Sequence, residues 1–149
     1  MNADSLFVKT LGDAALSSDA ESFTITDLAL AFNVTPRAIR FYEDQGLISP
    51  QRQGQNRIYS RRDRARLAWI LRGKRVGFSL AEVREMLDLY DAGDGRTKQR
   101  LLTIERCRER IDALAEQRAD IDDMIDELQR FVATLQDMVP PAGAQSTGD

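Results

Sequence analysis

The chain has 149 residues, with 21 Lys+Arg against 24 Asp+Glu, a formal charge of -3, one cysteine and no histidine. That length holds one compact domain and a long accessory helix, with no room for a second, catalytic domain. The absence of histidine, of a Gly-rich phosphate loop and of a nucleophile elbow leaves an enzyme reading little support.

Residues Met1 to Ser22 carry short apolar patches at Leu6-Phe7-Val8 and Ala14-Ala15-Leu16, separated by Gly12 and Asp13. They read as a flexible arm, residues 1–22. Its start is acidic rather than basic, unlike a secretory leader, and no stretch approaches the roughly 18 apolar residues of a membrane span, so a cytoplasmic location is expected. Phe23, Ile25, Leu28, Ala29 and Phe32 suit a short strand and then a helix capped by Thr26, with Asn33 and Val34 as the following turn. Thr35 can cap a second helix, Pro36 suits its first turn, and Gly46 ends it, so it should run from Pro36 to Gln45. Ala38, Ile39 and Phe41 offer a side that docks on a core, while Arg37, Arg40 and Tyr42 project outward. The pair makes a helix-turn-helix. Pro50, Gly54 and the polar run between them suit a loop, and Arg57-Ile58-Tyr59 alternates like a short strand, which together form a wing.

The acidic sum, with pI near 5.1, would argue against a nucleic-acid partner, but its distribution argues for one. Thr35 to Gly77 holds eleven basic residues and three acidic ones, a local charge of +8. An arginine-rich run is ordinarily a solvated helix face; inside a helix-turn-helix and wing it reads as a surface for duplex DNA.

Ser60 with Asp63, and Ser79 with Glu82, are capping signatures of two further helices separated at Gly77. Leu67, Trp69, Ile70 and Leu71 face a core from the first; Leu80, Val83, Met86, Leu87 and Tyr90 do so from the second. Trp69 reads as packing rather than ligand contact. This DNA-binding unit spans 23–92, and Asp91-Ala92-Gly93-Asp94-Gly95 breaks the chain after it.

From Thr97 to Met138 there is no Gly or Pro, and apolar residues recur every seven. One series is Ile104, Ile111, Ile125, Val132 and Val139; the other is Cys107, Leu114, Ile121, Leu128 and Leu135. A seven-residue repeat held this long is the signature of a coiled coil. A helix of about 60 Å has no comparable helix in its own chain to cover the stripe, so residues 97–139 should form a homodimer interface. Heptads alone leave the direction open. Arg118 interrupts the first series: it could reach Asp120, Asp122 or Asp123 of the other chain, or snorkel to solvent. Cys107 lies on the seam as a small apolar thiol, and disulfide dependence is not expected. Residues 140–149, with PPAGAQSTGD, form a tail that cannot bury a core.

The residues Arg40-Phe41-Tyr42-Glu43, Gly46-Leu47, Pro50 and Arg57-x-Tyr59 match, in order, a pattern in the opening domain of the MerR family of bacterial transcriptional regulators. The block Leu71 to Val83 looks like that family's join between its third and fourth helices, and the resemblance covers roughly Phe23 to Val139. Gln55 and Asn56 stand where Gly-Tyr usually precedes the wing arginine, a departure that bears on the wing contacts. The resemblance implies a mainly α fold: a winged helix-turn-helix followed by a long dimerisation helix that pairs antiparallel with its twin. It also implies an inverted-repeat operator in double-stranded promoter DNA, with an overlong spacer between the RNA polymerase contact elements that the regulator untwists or bends.

The DNA-contacting residues expected on this basis are Thr26, Thr35, Arg37, Arg40, Tyr42, Arg52, Arg57 and Tyr59. Arg37 is placed to reach base edges or phosphates, Arg40 and Tyr42 to fix the helix on the backbone, and Arg57 to meet a phosphate. The family's metal sensors use several cysteines, including a pair in a loop after the dimerisation helix, where this chain has none; no metal or cofactor is expected. A small effector, of unspecified identity, would bind near Tyr90, Trp69 or the start of the long helix. The variants TPRAIRFYE and ILRGKR-GFSLAE look most like the short regulators of branched-chain amino-acid or fatty-acid degradation. An excisionase-like or architectural DNA-bending protein is the alternative.

Overall fold

The computed structural model describes residues 22–90 and 95–143. Of the expected arm, residues 1–21 lie outside the described residues and Ser22 is instead the first residue of a strand; the break at 91–94 and the end of the tail also lie outside them. Strand β1 (Ser22–Phe23) leads into α1 (Ile25–Phe32) and α2 (Pro36–Asp44). Strands β2 (Gln51–Gln53) and β3 (Asn56–Ser60) follow, then α3 (Arg61–Arg75), α4 (Leu80–Tyr90) and the long α5 (Gly95–Met138). Gly95 is therefore the first residue of α5 rather than part of a break.

The cap of α1 corrects the expectation for Thr26. Thr24 is the N-cap: its hydroxyl accepts from the Asp27 amide at 3.1 Å, and the Asp27 carboxylate accepts from the Thr24 amide at 2.8 Å. The reciprocal pair satisfies two amides that the first turn would leave open. It also holds the Asp27 carboxyl below its usual range, the Thr24 amide contributing most. Thr26 sits inside the helix, with Ala29 three residues on and no carboxylate to complete a box. Thr35 caps α2 as expected, accepting from the Ala38 amide at 3.1 Å.

Helix α2 ends in a 6→1 closure. Gly46 takes φ 71, the Leu47 amide donates to the Tyr42 carbonyl at 3.0 Å, and the Gly46 amide donates to that of Glu43 at 2.8 Å. The left-handed residue suits glycine, which has no Cβ to strain. The closure turns the chain into Leu47 and Ile48, both buried.

The wing is a hairpin. β3 pairs antiparallel with β2 through Gln51↔Ile58, Arg52↔Arg57 and Gln53↔Asn56, and with β1 through Ser22↔Ser60 and Phe23↔Tyr59. Strand β2 was not expected, since Gln51–Gln53 has no apolar residue and exists only through its pairing with β3.

Both further capping boxes form: Ser60 with Asp63, and Ser79 with Glu82. The core is built from Leu28, Ile39, Leu47, Tyr59, Leu67, Ile70 and Leu87, each 0% exposed. Gly73 lets α3 and α4 meet: a Cβ there would lie 2.7 Å from Val83 Cγ2. Alanine gains about 1 kcal/mol in helix propensity, but overpacking against a β-branched side chain costs about 1–3 kcal/mol. Gly73→Ala is therefore expected to lower the melting temperature by a few degrees, as read by circular dichroism; a rise would show that α4 yields there without cost.

The chain divides into two compact units, residues 1–102 and 103–149, so the boundary falls inside α5. In the second unit α5 continues without interruption to Met138 and exposes its apolar series, from Leu114 at 45% to Leu128 at 62%.

Candidate nucleic-acid interface

Helix α2 presents Thr35, Arg37, Arg40 and Phe41 to solvent while Ile39 and Tyr42 face the core. Ile39 and Tyr42 are three residues apart and so share a face of the helix. Tyr42 is therefore not an outward-projecting group, as expected from the sequence: it is 4% exposed. Its ring lies edge-on to Phe41 with centroids 5.6 Å apart, and the Lys74 ammonium stands 5.8 Å from its centre. Tyr59 likewise becomes a core residue instead of a wing contact, at 0% exposed. Among the described residues its phenol has no hydrogen-bond partner, and burial, with the nearby Glu43 charge, pushes its pKa up to about 12.

The wing arginines meet α2 through Glu43. Arg57 Nε donates to Glu43 Oε2 at 2.6 Å, and Arg52 Nη2 lies 3.8 Å from Glu43 Oε1. The Arg57–Glu43 hydrogen bond holds the guanidinium more firmly protonated than usual. Arg57 is thus first a tie between wing and helix, with its side chain only 22% exposed, whereas the Arg52 side chain is 56% exposed. The wing is pre-positioned beside α2 by a charge-assisted bond of the stronger class.

A second set of ties fixes the turn that leaves α2. Buried Asp63 accepts from the amide of Ser60 at 3.0 Å and from that of Ser49 at 3.1 Å. Arg66, also buried, donates from Nε to the Leu47 carbonyl at 2.6 Å. Arg84 Nη2 donates to the Gln45 carbonyl. Arg64 lies over the Phe23 ring, 5.1 Å from its centre. Part of the basic excess is therefore structural. The exposed basic residues of the region are Arg37, Arg40, Arg52, Arg62, Lys74 and Arg75.

Arg66 as a structural residue has a sequence signal: it stands four residues before Ile70 and seven before Gly73, on the buried face of α3. The Glu43–Arg57 tie has none, because the partners are 14 residues apart in different kinds of element. Among the described residues no cluster of His, Cys, Asp or Glu could hold a metal ion, and no helix is long and apolar enough to cross a membrane.

Comparison with known proteins adds two matches to family models. Residues 23–89 match the MerR HTH family regulatory protein model, and residues 64–131 match the model described as MerR, DNA binding. The mercuric resistance operon regulatory protein of Bacillus cereus is 31% identical over 118 residues, covering 78% of this chain and 82% of that protein. Among solved structures, MtaN, the N-terminus of the Bacillus subtilis multidrug transporter activator, is 27% identical with a TM-score of 0.57. The match covers 74% of this chain and 97% of MtaN. HiNmlR, a MerR family regulator lacking the sensor domain and bound to promoter DNA, shares the fold at 23% identity, with a TM-score of 0.53 over 78% of this chain and 87% of its own.

Proposed function

The chain belongs to the MerR family of DNA-binding transcriptional regulators, which are not enzymes, and from that premise we propose that it acts as a homodimer on an inverted repeat in promoter DNA. The observation that carries this reading is the exposed Arg37 and Arg40 face of α2, held beside a wing that Glu43 draws in through Arg57. Two such faces at fixed separation match two half-sites one helical turn, or a multiple of it, apart. Thr35, Arg37, Arg40 and Arg52 supply the exposed contacts, and Thr26 lies exposed on α1. Tyr42 and Tyr59 support those contacts from the core. Arg57 orients the wing and adds its charge near the backbone.

The dimer forms through an antiparallel coiled coil of α5, supported by its exposed heptad rows. In the cytoplasm, the dimer changes the relative phase of the RNA polymerase contact elements by untwisting or bending the spacer between them, so deformation contributes alongside affinity. The mercuric resistance regulator is named for a metal; here one cysteine and no histidine offer too few soft ligands for a metal-sensing role. The proteins compared above are named for mercuric resistance and multidrug transport, not for degradation of branched-chain amino acids or fatty acids. Genomic footprinting tests the reading. Protected sites lying between promoter elements are the expected result, and sites confined to recombination regions would favour the architectural, DNA-bending alternative.

A further inference from the structure

The wing hairpin has two faces of different chemistry. Side chains alternate along a strand and directly paired residues share a face, so Arg52, Arg57 and Tyr59 lie on one side and Gln51, Gln53, Asn56 and Ile58 on the other. Glu43 holds the arginine side against α2. The opposite side runs out to the tip, where Gln53, Gln55 and Asn56 are all exposed and, among the described residues, none of their carboxamides has a hydrogen-bond partner.

The tip is both fixed and bare. Gln53 pairs with Asn56 across the two-residue turn Gly54-Gln55. Gly54 takes φ 63 and Gln55 is not left-handed, the pattern of a II′ turn, whose twist matches that of the strands it joins. A Cβ on Gly54 would meet nothing within 4 Å, which leaves the backbone of the tip open to a close approach. Residues 53–56 carry no charge. They include Gln55 and Asn56, the two positions at which the wing departs from the family pattern, so this tip is a property of the chain itself.

Carboxamides suit base edges better than phosphates. Each carries a donor NH2 and an acceptor oxygen, and a phosphate, which only accepts, would leave that oxygen facing an anion. With α2 in the major groove, a hairpin tied beside its last turn meets the neighbouring minor groove. There A·T and T·A present acceptors alone, whereas guanine sets its N2 amino donor next to the N3 acceptor. Only guanine satisfies both ends of one carboxamide. A narrow A·T groove instead draws cations, and the tip has none.

We propose that the wing tip reads a guanine in the minor groove beside each half-site, a carboxamide donating to N3 and accepting from the N2 amino group. Gln53 and Asn56, side by side on the outer face, form the reading pair, and Gln55 at the corner of the turn extends it. This deepens the promoter-DNA reading and rests on it.

The experiment uses the full chain and the operator recovered by footprinting, with base analogues placed one pair at a time. Exchanging guanine for inosine removes the N2 amino group and leaves the major-groove edge intact. At one G·C pair per half-site, outside the bases covered by α2, inosine should weaken binding about tenfold, as suits the loss of one bidentate contact. Adenine there should cost as much, and 2,6-diaminopurine, which restores the amino group to an A·T-like pair, should recover the affinity. A variant carrying Gln53→Ala, Gln55→Ala and Asn56→Ala should melt near the parent's temperature, because the three side chains are exposed, and should bind the guanine, inosine and adenine operators alike. Should the triple variant melt early, Gln53→Ala and Gln55→Ala singly carry the same comparison. A parent indifferent to inosine at every pair would overturn the proposal. So would a loss that persists in the alanine variants, since it would then reflect the deformability of the altered pair rather than contact with the tip. A chain that protects no promoter DNA would instead defeat the regulator reading itself.

Discussion

Replacing both Leu114 and Leu128 with alanine is expected to convert the protein to monomers at micromolar concentration and to abolish tight operator binding. Both side chains lie on the α5 seam and are 45% and 62% exposed in one chain, so their burial comes only from pairing. Truncating a fully buried leucine costs roughly 2–5 kcal/mol, and the double variant removes four such side chains per dimer. The first unit does not depend on either residue, so each half should stay folded by circular dichroism. Operator affinity should fall together with dimerisation, because a single half-site lacks the gain from a linked second contact. Sedimentation paired with a DNA titration checks this; an intact dimer with full affinity would place the interface elsewhere.

Arg37→Ala with Arg40→Ala is expected to produce the largest loss of DNA binding without loss of fold. Both residues are exposed on α2 and contribute to neither the core nor its helix caps. A side chain reading a base edge is worth about 1–3 kcal/mol, and each contact occurs twice in a dimer, so affinity should drop by at least two orders of magnitude. The fold should melt near the parent's temperature. Arg57→Ala should behave differently, because it frees Glu43 as well as removing a cation beside the DNA. Its salt dependence should become shallower by about one phosphate contact per half-site. Glu43→Gln should loosen the wing while sparing that cation, leaving the salt slope near the parent's. A double variant of Arg37 and Arg40 that binds the operator like the parent would remove α2 from the reading face.

Local features carried most of the sequence-based reading. Thr35-Pro36 and Gly46 bracket α2 because caps and left-handed closures involve residues within one turn of each other. The boxes at Ser60 and Ser79 are local in the same way, and so is Thr24 with Asp27; Thr26 fails as a cap because Ala29 offers no carboxylate. Tyrosine is harder to place, being apolar in body and polar at its tip. The spacing of Tyr42 from Ile39 marks its inward face, yet nothing in the Arg-x-Tyr of β3 distinguishes a buried ring from a contacting one. Counting charges treats every arginine alike, although Arg66 and Arg84 serve carbonyl groups of the turn after α2. Those pairings, like Arg57 with Glu43, join segments that come together only once the chain is folded.

The ties around α2 have a mechanical consequence. Bending a site of 20–30 base pairs by 40–90° costs about 1–6 kcal/mol, and the duplex returns that force to whatever holds it. A recognition helix hung on flexible loops would tilt under such recoil, and the DNA would relax toward its straight form. Here the C-terminal end of α2 is braced twice, by Glu43 against the wing and by Asp63, Arg66 and Arg84 at the turn that follows it. Under the bending proposed above, an end anchored on two sides keeps elastic strain in the DNA rather than dissipating it in the protein, and Arg66 and Arg84 serve that end through stiffness.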